Sequence, residues 1–177
     1  MSYHTIVLLL LTLSSQVTAA EQSPYTDAAG HAIKALSPQQ IENLRDGKGM
    51  GLALAAELNA YPGPKHVLEL ADELDLTDGQ RDASRKLLDA MQQQAQTIGA
   101  ELINAERTLD RLFANAEAES VLLKAALQHI GRLRAELRFA HLDAHIRQRE
   151  LLDDEQVKRY IHLRGYNGRQ GHSSHGH

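Results

Sequence analysis

The chain has 177 residues, a net charge of −4 and no cysteine, which is enough length for one compact domain and excludes a disulfide framework. Two Phe, five Tyr and no Trp leave an aliphatic core as the only option, and the mildly acidic balance excludes the broad basic surface that nucleic acid requires of a partner. Ala, Leu, Gln, Glu and Arg dominate without long β-branched or aromatic runs, which is the composition of an all-α protein.

The first element in the chain is a candidate leader. Residues 1–20 carry an apolar run from Ile6 to Leu13, then polar Ser14, Ser15 and Gln16, then small residues ending at Ala19 and Ala20. That order is the pattern of a cleavable signal peptide, and the run is too short to span a bilayer. Only the terminal amine and His4 stand before it, where Lys or Arg is usual, so a misplaced start or a retained anchor is the alternative to export. Residues 21–35 read as a flexible N-terminal arm.

A helical domain is expected over 36–166. Its first short helix runs from Pro38 to Asp46 and is stopped by GKG at 47–49. A second covers roughly Met50 to Asn59 and is broken by YPGP at 61–64, and a third covers His66 to Leu74. From Thr77 to about Ala114 there is no Pro, and Leu87, Met91, Ala95, Ile98, Leu102, Ala105, Leu109 and Leu112 fall on one helical stripe. After ANAEAES at 114–120, a second stripe follows through Leu122, Ala126, Ile130, Leu133, Leu137, Ala140 and Ala144. Neither helix can bury its stripe alone, so the two fold back as a long antiparallel hairpin over about 77–152, with arms about 50 Å long. Two helices bury too little for much stability, so the short helices pack on the hairpin, or two chains pair as a homodimer, or both. With the turn near 117, facing positions sum to about 234. This register places Arg134 opposite Glu101 as an ion pair, and leaves Glu106, Arg107 and Arg111 on a solvated face.

One pentapeptide pattern appears three times: LSPQQ at 36–40, LTDGQ at 76–80 and LDDEQ at 152–156. Each is a helix start. Ser37, Thr77 or Asp153 caps the first turn, and Gln40, Gln80 or Gln156 reaches back to the cap's own N–H, as in a capping box. Leu36 can staple onto Ile41 and Leu152 onto Val157, whereas Arg81 follows the middle copy, so Leu76 needs an apolar partner elsewhere. These carboxamides are structural, not catalytic.

An LTxxQ motif opening one helix of a long hairpin, echoed after the hairpin, resembles the Spy/CpxP family of periplasmic proteins. That group includes stress chaperones, ZraP-like zinc-binding relatives, and heavy-metal-resistance and periplasmic metal-sensor proteins of similar fold. LTDGQ matches in full, while LDDEQ has Asp153 where Thr would stand. The resemblance covers Leu76 to Tyr166, and the Gly-rich stretch from Gly47 to Leu70 is reminiscent of the metal-resistance branch. It implies a periplasmic location, a dimeric hairpin, and a metal site built from His, Glu and Met. The family's ligand spacing does not map cleanly, so it implies the type of site and no individual ligand.

Two stretches could hold metal. HLDAH puts His141 and His145 one turn apart on one helix face, spaced to share an ion. Leu142 follows the first His where a zincin protease has its Glu base, so hydrolysis by that route is unsupported. The register sets Met91 opposite residue 143, between the imidazoles, and a thioether beside two imidazoles suits a soft or borderline ion such as zinc, copper or nickel. An ordinary pair of helix histidines and a core-filling methionine are the plain alternative. The other stretch is the tail, 167–177, expected to be disordered, in which His172, His175 and His177 could wrap an ion loosely. His66 and Met50 precede the hairpin, and nothing in the sequence fixes where they lie.

No activated nucleophile, carboxylate pair or phosphate loop is present, so neither an enzyme nor an organic cofactor is expected. The expected function is metal binding in resistance or envelope-stress sensing, with a membrane sensor as a possible partner. The competing expectation is an ATP-independent chaperone holding unfolded client proteins on a helical dimer.

Overall fold

The computed structural model of the chain describes residues 23–166, so the candidate leader and the His-rich tail lie outside the described residues. Within them the protein is all-helical, with one isolated β-bridge between Ile33 and Leu36 and no strand. The helices are α1 (Thr26–Ala29), α2 (Pro38–Arg45), α3 (Leu54–Glu57), α4 (Pro64–Glu69), α5 (Asp78–Ala114), α6 (Ser120–Leu151) and α7 (Asp154–Leu163). Helices α5 and α6 pack together as the hairpin that the two apolar stripes predict. Helix α3 is much shorter than the expected 50–59. Met50 and Gly51 lie at φ +44° and +78°, which holds the start of that segment outside helical geometry.

The end of α5 explains the turn. Ala116 lies at φ +57°, Glu117 N–H donates to Leu112 O, and Ala116 N–H donates to Phe113 O. This pair of bonds is a Schellman closure, which satisfies two of the last carbonyls of α5 before the chain reverses.

Three capping boxes start α2, α5 and α7. In each, the Ser37, Thr77 or Asp153 side chain accepts from the Gln backbone N–H, and the Gln side chain accepts from the cap's own N–H. Each cap is worth about 1 kcal/mol. Leu76, which lacks a local staple, is buried in a cluster with Val67, Leu74, Leu152 and Val157. Arg81 instead donates to the Leu76 and Ala71 carbonyls and to Asp72.

The core is in two parts. One joins Ile33, Leu36 and Leu44 to Ala95, Ile98 and Leu102 of α5 and to Ile130, Leu133 and Leu137 of α6. The other packs Val67, Ala71 and Leu74 against Leu76, Leu152, Val157 and Tyr160. Burying each such Leu or Ile stabilises the fold by ~1.5–3 kcal/mol. The arm expected to be loose therefore has a structural part: Ile33 is fully buried, and Lys34 N–H donates to Asp110 Oδ1 at 3.1 Å. Helix α2 crosses α5 so closely that a Cβ on Gly99 would lie 2.3 Å from the Leu44 carbonyl oxygen. Only a glycine allows that backbone contact.

The expected charge pairing is corrected. Arg134 bonds Glu106 at 2.6 Å, not Glu101, and Glu106 is buried, not on a solvated face. The long guanidinium stem reaches past the residue directly opposite and neutralises a carboxylate that the hairpin has enclosed.

Candidate metal centre

Between the two cores the hairpin, the 47–51 loop and the start of α4 enclose a cavity of about 470 Å³. Its wall includes Met50, Glu57, His66, Met91, His141 and His145. The structure thus brings Met91 to the same cavity as both histidines of HLDAH. It also brings Met50 and His66, which sequence reasoning left unplaced. Glu57 was missed altogether. A lone Glu in a short helix carries no signal until the chain that encloses it is known.

His145 is set by backbone. Its Nδ1 lies 2.7 Å from the Tyr61 carbonyl oxygen, which can only accept, so Nδ1 carries the proton and Nε2 keeps its lone pair. A carbonyl behind one ring nitrogen is the usual way a ligating imidazole is oriented. Gly63 makes room for that ring: a Cβ there would lie 2.8 Å from Cε1 and 2.9 Å from Nε2 of His145. YPGP therefore does more than break a helix. Tyr61 orients the imidazole and Gly63 admits it.

His141 is 4% exposed, and its Nε2 is buried without a hydrogen-bond partner. Burial pushes its pKa below the ordinary imidazole value, and the neighbouring His145 pushes it the same way. The ring is thus held neutral, which is the form that ligates metal. An orphaned buried nitrogen costs about 1–3 kcal/mol, a cost that a bound ion would remove.

Glu57 belongs to a second layer. Its Oε1 accepts from the phenols of Tyr160 and, at 3.0 Å, Tyr166. Its Oε2 accepts from Gly63 N–H at 3.2 Å and lies 3.7 Å from His145 Nδ1. Burial, with the Glu57 bond adding to it, raises the Tyr160 pKa strongly. His66, on the same wall, is bonded to Glu69, whose Oε2 lies 2.7 Å from its Nδ1. Among the described residues no group of three or more His, Asp or Glu side chains stands close enough to hold an ion. A centre here is therefore limited to the two imidazoles and the thioethers, a set that fits a soft or borderline ion. His172, His175 and His177 lie outside the described residues.

A larger hollow, about 570 Å³, opens on the hairpin between Gln94, Thr97 and Ile98 and Ala135, Glu136 and Phe139. It has no His or Met on its wall and offers apolar surface instead. No helix among the described residues is long and apolar enough to cross a membrane.

The fold and cavity define a class: an all-helical hairpin protein with a cavity walled by histidine and methionine. Comparison with protein-family models, curated proteins and solved structures found no match.

Proposed function

We propose that the chain is a periplasmic metal-binding protein of the Spy/CpxP and heavy-metal-resistance type, acting in metal resistance or envelope-stress sensing. One observation carries the reading: His145, its Nε2 freed by the Tyr61 carbonyl, and His141, its Nε2 buried without a partner, share one cavity with Met91. Zinc, copper and nickel are the ions such donors take. The protein acts by binding and not by catalysis. It works as a homodimer, with His172, His175 and His177 as a second, looser store, and it signals by altering the dimer or its hold on a membrane sensor.

The test is metal titration of the chain from Glu21 onward in three versions: intact, cut before Gly171, and His141→Ala with His145→Ala. Submicromolar binding that survives the cut and vanishes in the double variant is the expected result. Binding lost only with the tail would reduce the protein to a loose buffer, and no binding in any version would overturn the reading.

A second reading has its own observation. Phe113, Val121, Leu127 and Phe139 are half or more exposed along the hairpin. Exposed apolar side chains of this kind suit weak holding of unfolded clients. Suppression of client aggregation that does not depend on metal or on His141 and His145 would favour the chaperone.

A further inference from the structure

We propose that the cavity selects a monovalent soft ion, copper(I) or its analogue silver(I), by adding the Met50 thioether to Met91, His141 and His145. This rests on the metal reading above and names the ion for that same site.

The donor set points there first. The chain has three methionines, one of them Met1, and both of the others stand on this one wall. Thioethers bind zinc and nickel poorly, and those ions need further nitrogen or oxygen donors. The wall withholds such donors. Glu57 is already committed to Tyr160, Tyr166 and Gly63, and among the described residues His66 does not stand close enough to join His141 and His145 around one ion. Copper(I) prefers thioether and imidazole and is satisfied by few ligands, so the same wall suits it.

The second argument is the placement of Met50. A methionine that fills a core is buried, but Met50 is 43% exposed at this cavity. It is held there at φ +44°, a left-handed conformation that disfavours a non-glycine residue. The loop that holds it is seated tightly at Gly47 and passes His141 at Gly49. A Cβ on Gly47 would lie 2.9 Å from the Gln92 carbonyl, and one on Gly49 would lie 3.8 Å from His141 Nδ1. The GKGMG loop therefore rests against α5 at Gly47, passes beside His141 at Gly49, and carries the thioether to the cavity.

The experiment uses the chain from Glu21 onward with His172, His175 and His177 changed to Ser, so that only the cavity is read. Copper(I), under reducing conditions against a chromogenic chelator, and silver(I) are compared with zinc(II), nickel(II) and copper(II). The same series is run on Met50→Leu and Met91→Leu, which keep side-chain volume and so keep the fold. Copper(I) and silver(I) are expected to bind tightest, each Leu variant to weaken them about tenfold or more while leaving zinc(II) affinity unchanged, and X-ray absorption to show sulfur around bound copper. Divalent ions binding at His141 and His145, with copper(I) indifferent to both Leu variants, would overturn this inference and leave the metal reading standing. Failure of every ion to bind would overturn both.

Discussion

Gln80 and Gln156, the same position in two copies of one motif, hydrogen-bond each other: Nε2 of Gln80 donates to Oε1 of Gln156 at 2.8 Å, and Nε2 of Gln156 donates back at 3.0 Å. Each amide also closes its own capping box, and each donates across the fold, Gln80 to Leu151 O and Gln156 to Leu74 O. The repeated glutamine is thus a clasp that ties the start of α5 to the end of α6 and the start of α7. The two roles can be separated. Gln80→Glu keeps the oxygen that caps Thr77 N–H but loses both donated bonds. It should destabilise the protein by about 1–3 kcal/mol in denaturant unfolding. A double-mutant cycle of Gln80→Ala and Gln156→Ala should show a coupling of about 1 kcal/mol, and additive losses would mean that the clasp is energetically idle.

Tyr160 makes stability depend on alkaline pH. Its folded pKa is raised above the ordinary 10.0, by burial first and by the bond to Glu57 next. A raised value means that the contribution is fully present below about pH 10 and is lost as pH rises from there through the folded pKa. Urea midpoints measured from pH 8 to 11 should fall above pH 10. Tyr160→Phe should be weaker at pH 8 by about 1–3 kcal/mol, because a buried Glu57 oxygen loses a donor, and should lack that part of the alkaline fall.

Gly63 tests the centre without removing a ligand. Alanine there places its Cβ against the His145 ring. Gly63→Ala should therefore weaken binding of a metal that uses His145 by about tenfold or more, with little loss of helix by circular dichroism. Unchanged affinity would show that the ion does not need His145 in this seat.

Two helical glycines should respond oppositely to the same change. Gly99→Ala drives α2 off α5 and should cost about 1–3 kcal/mol, with faster amide exchange in α2. Gly131 on α6 has nothing within 4 Å of the added Cβ. Gly131→Ala should stabilise by about 1 kcal/mol through helix propensity alone. Equal effects at the two sites would remove the argument that α2 is seated by backbone contact.

What the sequence by itself determined is what short-range physics decides. Apolar spacing gave α5 and α6 their packed faces, Gly and Pro set the breaks, and the three capping boxes followed from Ser, Thr or Asp three places before Gln. His141 and His145 were visible as a pair because one helical turn separates them. The near-symmetric register was enough to bring Met91 to their cavity. What only the tertiary structure decided has partners far apart in the chain. No periodicity links Tyr61 O to His145, Glu57 to Tyr160, or Gln80 to Gln156. The burial of Glu106 and its pairing with Arg134 turned on how far a long side chain reaches across the hairpin, which spacing alone does not encode. Those contacts exist only once the fold has brought segments distant in the chain together. Local propensity therefore explains the scaffold, and desolvation together with long-range packing explains the cavity built on it.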